Sequence, residues 1–245
     1  MTVADTLCAG TPHYHTALIL AGNARSFTDA RCYKSIRHNL IDAYGGKLVT
    51  FAWLKASPET QTPGHRHQYV TNTSIAAVQH AVRYLQGNDH SNIVVSSIVQ
   101  DTPRGVYNAA CNWYAQKVHE ARYAGQLHAH YESFALMEQY EREHNLTFKV
   151  VMKARPDMVW LAGVQPWCTY STALAYLAHQ QPSDWFFMLP RRVAADAMRT
   201  PYDTYKSCHA SDPGRLSNPM NAITVECCGG GPTAQVYAAV VRANL

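Results

Sequence analysis

The stretch Thr16-Ala-Leu-Ile-Leu-Ala21, followed by Gly22 and Asn23, is the clearest strand pattern in this 245-residue chain. Its apolar side chains follow one another without the alternation of a strand that has one face in water. Continuous hydrophobicity of this kind is typical of a parallel strand that is covered on both faces. The sequence therefore predicts that residues 16–21 form a buried strand of an α/β fold.

Segments of helix and strand character alternate after this first strand. Further strands are predicted at 47–54, 92–99, 147–152 and 184–189. Helices are predicted at 30–44, 72–85, 106–144 with a break near Gly125, 171–178, 191–198 and 233–243. This alternation predicts a single-domain, Rossmann-like mixed sheet, mostly parallel, with helices on both faces.

The composition restricts the class of protein. Apolar residues make up 47% and charged residues 16% of the chain, which provides a sizeable core and argues against disorder. The net charge of +4 is too small and too dispersed for a nucleic-acid footprint. No internal repeat or low-complexity linker divides the chain. We therefore expect one domain and no nucleic-acid partner.

The cysteines and the hydropathy pattern predict a cytoplasmic protein. Residues 1–12 lack the basic region and apolar stretch of a signal peptide. No apolar run approaches the ~20 residues that span a membrane, so no transmembrane segment is expected. The seven cysteines are odd in number and none has C-x-x-C spacing, which makes a zinc site improbable. Reduced, mostly buried thiols are the favoured interpretation.

The loop after the first strand is a candidate phosphate site, because ligands of such sheets bind beyond the carboxyl ends of the strands. Gly22 and Asn23 permit close backbone approach, and Arg25 offers a positively charged fork to a diphosphate. The following helix start adds free N–H groups. The loop is neither a Gly-x-Gly-x-x-Gly motif nor a P-loop. An ordinary turn with a surface arginine is the alternative.

The second candidate lies at the end of the strand near residue 150. Lys153, Arg155 and Asp157 share one side if the extended conformation persists, and Pro156 stops the hydrogen-bond ladder. A carboxylate beside two cations suits a place where a divalent metal and a diphosphate meet. A surface salt-bridge cluster is the alternative.

The ordered set of motifs resembles a group of GT-A-type glycosyltransferases of polysaccharide biosynthesis in bacteria, algae and large algal viruses. Residues 17–27 resemble the start of that group, a hydrophobic strand followed by Gly-x-x-Arg-[Ser/Thr]-Phe. Arg155-Pro-Asp157 is similar to the Arg-Pro-Asp that replaces Asp-x-Asp in it, and residues 107–117 resemble its helix rich in Asn, Tyr and Gln. The resemblance extends from residue 17 to about 190.

The resemblance implies the role of each candidate residue. Arg155 would steady the phosphates, and Asp157 would bind Mn²⁺ or Mg²⁺. Trp53 would stack on the base, with a core position as the alternative. The residues implied to face the nucleotide-sugar donor are Gly22, Asn23, Arg25, Asn112 and Gln116. Lys153 is a further donor-binding candidate because of its charge and its place at the strand end. For Asn112 and Gln116 a solvated helix face is the alternative.

The resemblance also implies an organisation, with a tail at 1–15, a nucleotide-sugar-binding core at 16–190 and an acceptor-side region at 191–245. Glu226, before a Gly-rich stretch, is the predicted catalytic base, with a surface carboxylate as the alternative. The other candidates are Asp184, Asp196, Asp203, His209 and Asp212. The paired histidines, among them His128-x-His130, are interpreted as solvated side chains.

The sequence thus predicts a glycosyltransferase that moves a sugar from a nucleoside diphosphate such as UDP to a hydroxyl of a glycan-type acceptor. Two alternatives stay open. One is a catalytically inactive relative that binds carbohydrate or nucleotide. The other is a sugar nucleotidyltransferase, which would be expected to carry a Gly-rich loop with a lysine.

Overall fold

A mixed, mostly parallel sheet forms the centre of the protein. The computed structural model describes residues 3–56, 73–87, 92–100, 117–177 and 186–206. The strands in these ranges are β1 His15–Asn23, β2 Lys47–Lys55, β3 Ile93–Val99, β4 Val150–Ala154, β5 Tyr176–Leu177 and β6 Phe186–Pro190. They lie in the order β3-β2-β1-β4-β6-β5. The four strands β1 to β4 are parallel, whereas β6 runs antiparallel to both β4 and β5.

Helices cover both faces of this sheet, as predicted. Those in the described ranges are α1 Val3–Leu7, α2 Ala30–Ser35, α3 Ile75–Gln86, α4 Lys117–Glu143, α5 Arg191–Met198 and α6 Thr200–Lys206. A π-helical segment, Ile36–Asp42, continues α2. The Rossmann-like α/β fold class is confirmed.

Alternate side chains of the buried strands enter two separate cores. Leu18 and Leu20 of β1 pack with residues of α2, the π-helical segment and α3. Ala17, Ile19 and Ala21 face the other way and pack with residues of α4 and α5. A strand buried on both faces needs apolar side chains at every position, which is the pattern of residues 17–21.

Two predicted helix features are wrong. α4 continues through Gly125, because the buried residues Ala124 and Leu127 flank it in the core and offset the ~1 kcal/mol that a helical glycine costs. Residues 171–177 are not a helix: turns lead into β5, which pairs with β6 at the sheet edge. Tertiary pairing overrides local helix propensity here. The predicted helix at 233–243 and residues 106–116 lie outside the described ranges.

A disulfide joins Cys8, after α1, to Cys168, with 5.6 Å between the Cα atoms. The expectation of reduced thiols is therefore wrong for this pair, whereas Cys32 is free and buried. The two partners are 160 residues apart, so their spacing carries no local signal. The bond ties the amino-terminal helix to the segment that follows β4.

None of the helices in the described ranges combines the length and the apolar character that a membrane span requires.

We predict that Gly46→Ala destabilises the protein more than Gly10→Ala. Both glycines have positive φ angles, +68° and +83°, which L side chains rarely adopt. A Cβ at Gly46 would also lie 2.7 Å from Cδ1 of Trp167, whereas no atom of the described residues lies within 4 Å of one at Gly10. We expect an extra loss of about 1–3 kcal/mol in the free energy of unfolding for Gly46→Ala, measured with urea. Equal losses in the two variants would contradict this packing.

Candidate functional site

The candidate site lies at the carboxyl ends of the neighbouring parallel strands β1 and β4. β1 is hydrogen-bonded to β2 on one side and to β4 on the other, so the strand order reverses between β1 and β4. The carboxyl ends of strands at such a reversal form the crevice in which doubly wound sheets bind ligands. Arg25 follows β1, and Arg155 and Asp157 follow β4. The fold therefore brings two of the predicted motifs to one place.

The carboxylate of Asp157 connects these two loops. Nε of Arg155 donates to Oδ1 of Asp157 at 2.8 Å, and Nη2 donates to Oδ2 at 2.7 Å. Nη1 of Arg25 lies 3.9 Å from the same Oδ2. Ser26 adds a hydrogen bond from its hydroxyl to the Asp157 carbonyl at 3.1 Å. The side chains of Arg25 and Arg155 remain 37% and 30% exposed, so both are partly in contact with solvent.

Asp157 is held in its ionised form. Burial alone would raise the pKa of this carboxyl, but the hydrogen bonds and charge of Arg155, together with the charge of Arg25, hold the pKa below its usual value. The extended conformation ends at Ala154, and the turn that follows brings Asp157 back onto Arg155. The condition under which residues 153, 155 and 157 would share one side is therefore not met.

The described residues do not build a metal site by themselves. Both carboxylate oxygens of Asp157 accept hydrogen bonds from Arg155. No cluster of three or more His, Cys, Asp or Glu side chains with metal-binding geometry occurs in the described ranges. Each of these oxygens keeps a second lone pair, so a metal at Asp157 would bind beside the Arg155 contacts and take its other ligands from elsewhere. The predicted metal role of Asp157 stays a prediction.

Gly22 and Asn23 shape the loop that carries Arg25. Gly22 has a φ of +127°, and Asn23 is exposed at the last position of β1. The amide of Ala24 then donates to the Lys55 carbonyl at 2.9 Å, which holds the loop against the end of β2. Only glycine adopts the φ of residue 22 without strain, so this turn explains the residue type.

The first turn of α2 does not supply the free N–H groups that the sequence suggested. Asp29 is the residue before the helix, and its Oδ1 accepts a hydrogen bond from the Arg31 amide at 2.9 Å. A negative charge therefore already lies at this helix end, where it would repel a phosphate. Arg25 is the remaining anion-binding candidate of this loop.

Lys153 lies beneath the site rather than on its surface. Its side chain is fully buried on the sheet face that carries α4, with Nζ 6.0 Å from the centroid of the Phe187 ring. A buried ammonium adds positive potential to the crevice without direct access for a ligand. Its predicted direct contact with the donor stays a prediction.

Trp53 agrees with its core alternative. It is 5% exposed, belongs to the core between the sheet and α4, and meets the His128 ring edge-to-face with centroids 5.3 Å apart. Its face therefore packs against protein, and its role as a platform for a base stays a prediction.

His128 and His130 are buried, so the expectation of solvated side chains is wrong for this pair. Nε2 of His128 lies 3.2 Å from Oε1 of Glu132, and Nε2 of His130 has no hydrogen-bond partner among the described residues. Burial, and then the charges of Lys153 and Arg155, hold the pKa of His130 well below its usual value. His130 is therefore a neutral imidazole next to the cationic crevice.

Helical periodicity could have placed His130 inside. The buried residues Leu127, His130, Phe134, Met137 and Glu141 recur at spacings of three and four, which puts them on one stripe of α4. This stripe is visible at helical spacing and not in the alternate spacing of the paired histidines.

The remaining predicted residues divide into two groups. Asp196 of α5 and Asp203 of α6 are exposed carboxylates. The others lie outside the described ranges: Asn112, Gln116, Asp184, His209, Asp212 and Glu226.

We predict that Asp157→Asn lowers the free energy of unfolding by about 1–3 kcal/mol at pH 7, because it weakens the charge-assisted pair with Arg155. The folded-state pKa lies below the ordinary aspartate value of 3.8, so the stabilisation is present above that pH and is lost as the pH falls through the folded-state pKa. Urea unfolding between pH 7 and pH 2 should show the two proteins converging.

Asp29→Asn is the matched control, because Asp29 makes the same two-residue pair with Arg31, which is 77% exposed. The decrease in the free energy of unfolding for Asp29→Asn should be much smaller, since water screens exposed pairs. A loss for Asp157→Asn that is equally small, or independent of pH, would contradict the buried pair.

We predict that His130→Leu flattens the pH dependence of stability on the acid side of pH 6.5. Wild-type His130 is neutral when folded and takes up a proton on unfolding, so stability falls as the pH falls below 6.5, by up to about 1.4 kcal/mol per pH unit. In urea titrations, the unfolding free energy of wild type minus that of His130→Leu should fall as the pH is lowered over that range. His38→Leu, at a 62% exposed position, is the control. An unchanged difference would contradict a buried neutral His130.

Comparison with known proteins assigns no role to these residues. No family model matches the sequence, and no curated protein matches it.

Proposed function

We propose that this protein is a glycosyltransferase that moves a sugar from a nucleoside diphosphate donor to a hydroxyl of a glycan-type acceptor. One observation carries the proposal: Arg25 and Arg155, from the ends of two neighbouring parallel strands, meet on one carboxylate at the reversal of strand order. Nucleotides bind at this place in doubly wound sheets.

Two guanidinium groups suit a diphosphate better than a neutral ligand. Each presents a planar fork of donors that matches phosphate oxygens, and each keeps about a third of its side chain exposed. Asp157 fixes the plane of the Arg155 fork through two hydrogen bonds. An oriented donor costs less entropy on binding than a free side chain does.

Transfer of the sugar leaves a nucleoside diphosphate with additional negative charge. Arginines that are already oriented stabilise this charge as it develops, and they hold the donor in place for attack by the acceptor hydroxyl. The buried ammonium of Lys153 adds to the positive potential at the same strand end. Glu226 stays the predicted base for the acceptor, and Mn²⁺ or Mg²⁺ at Asp157 stays a predicted addition.

A nucleotide-binding protein without transferase activity is the second candidate. The observation that favours it is that Asp157 orients Arg155 through both of its oxygens, a positioning role that nucleotide binding alone would also need. Binding of nucleoside diphosphate without sugar transfer or donor hydrolysis would identify this candidate. The Cys8–Cys168 disulfide counts against the predicted cytoplasmic location, because such bonds are rare in the cytosol.

We predict that Arg25→Ala and Arg155→Ala each weaken the binding of UDP or GDP by about tenfold or more. Loss of a charge-assisted hydrogen bond costs about 1.5–3 kcal/mol, and every 1.4 kcal/mol is tenfold in Kd. Calorimetry with UDP, GDP and their sugar conjugates, with and without Mn²⁺, measures the effect. Arg142→Ala is the matched control, because Arg142 is an exposed arginine in the last turn of α4, at the opposite end of the sheet.

Arg155→Lys separates charge from orientation, since lysine keeps the charge but not the fork, and we expect intermediate binding. Asp157→Ala should reduce both binding and donor hydrolysis. Unchanged binding and hydrolysis in Arg25→Ala, Arg155→Ala and Asp157→Ala would overturn the proposed site.

A further inference from the structure

The turn between α4 and β4 carries an acceptor sequence for N-linked glycosylation. Asn145-Leu-Thr147 has the pattern Asn-x-Thr with a middle residue other than proline. Asn145 and Thr147 are exposed, so a modifying enzyme can reach both. Leu146, between them, is anchored through its amide, which donates to the Glu141 carbonyl at 3.1 Å. The turn thus presents the two recognition side chains on a fixed backbone.

The backbone of this turn explains Asn145 only in part. Its φ of +48° lies in the left-handed region, which asparagine tolerates better than most residues after a helix end. Glycine would fit this conformation with less strain. Neither the helix end nor the conformation requires an exposed threonine two residues later. The combination of the two residue types is what matches an acceptor sequence.

The position of the turn is compatible with the proposed site. Asn145 precedes β4, whereas Arg155 and Asp157 follow it, so the two features lie at opposite ends of the same strand. A glycan on Asn145 would extend from the amino end of the parallel strands. The crevice at their carboxyl ends would stay accessible.

The disulfide is an independent observation that is also typical of secreted proteins. The bond between Cys8 and Cys168 closes a loop of 160 residues between buried or half-buried positions. Such structural disulfides form and persist in oxidising compartments and are rare in the cytosol. The lumen of the endoplasmic reticulum is an oxidising compartment, and N-linked acceptor sequences are used in secreted proteins.

A second acceptor sequence, Asn72-Thr-Ser74, is a weaker candidate. Asn72 lies outside the described ranges, and Thr73 is buried. Oγ of Ser74 accepts a hydrogen bond from the Ala77 amide as the cap of α3, at 3.3 Å. The hydroxyl that recognition would need is therefore committed to the fold.

We propose that Asn145 is an N-glycosylation site and that the chain matures in an oxidising secretory compartment. The co-reactant is an oligosaccharide linked to a lipid through a diphosphate. The side-chain nitrogen of Asn145 forms a bond to C1 of the first sugar and loses a proton, while the bond from C1 to the diphosphate oxygen breaks. The lipid diphosphate leaves with that electron pair. No oxidant or reductant takes part.

The full chain, directed into the secretory pathway of a eukaryotic cell by a cleavable leader, tests the proposal. Medium and cell extract are both analysed, so that retained protein is also measured. We expect peptide-N-glycosidase to increase the mobility of the wild type and to convert Asn145 to aspartate in peptide mass spectra. Thr147→Ala should abolish this shift, and Thr147→Ser should retain it at least in part.

Asn145→Gly is the matched variant for folding, because glycine fits the positive φ while it removes the acceptor side chain. It should lose the glycan and remain folded. Asn72→Gln should keep the mobility shift. Non-reducing peptide maps should contain the Cys8–Cys168 link. A wild type with unmodified Asn145, a glycan on Asn72 alone, or free thiols at Cys8 and Cys168 would each overturn the proposal.

Discussion

Hydrogen bonding on both edges of β1 holds the centre of the sheet together and brings the ends of β1 and β4 side by side. All residues from His15 to Asn23 pair with β2, and Thr16–Leu20 also pair with β4. Where a strand has neighbours on both sides and helices on both faces, its side chains are shielded from water. Residues 17–20 are accordingly fully buried. The same double pairing sets the ends of β1 and β4 side by side, and so it places Arg25 next to Asp157.

Charged side chains have different roles at the two ends of the sheet. At the amino end, Glu141 accepts hydrogen bonds from the Phe148 amide and from Arg191, whose guanidinium also contacts Glu138. This arrangement joins α4, β4 and α5 through groups that satisfy one another. At the carboxyl end, Arg25 and Arg155 meet one carboxylate and stay partly exposed. The first arrangement stabilises the fold, and the second leaves donors within reach of a ligand.

Much of the fold follows from local sequence, and less of the candidate site does. The continuous apolar run of β1 and the alternation of helices and strands are local signals, and the structure bears them out. The edge strand β5 was missed because its conformation comes from pairing with β6 rather than from its own residues. The Cys8–Cys168 bond and the burial of Lys153 likewise depend on distant chain segments. The meeting of Arg25 with Asp157 was predictable in part, since both follow adjacent parallel strands, but the turn that pairs Asp157 with Arg155 was not.

The π-helical segment Ile36–Asp42 has a consequence for changes of chain length. Nδ2 of Asn39, within this segment, donates to the Trp160 carbonyl at 2.6 Å, and the Asn39 carbonyl accepts from Val164 at 2.8 Å. π-Helical hydrogen bonds span one residue more than α-helical ones. Deletion of one residue ahead of Asn39 would favour the α-helical spacing and rotate its side chain by roughly 100° about the helix axis. The segment after β4 would lose this anchor, so evolution in this part of the chain should accept substitutions more readily than insertions or deletions.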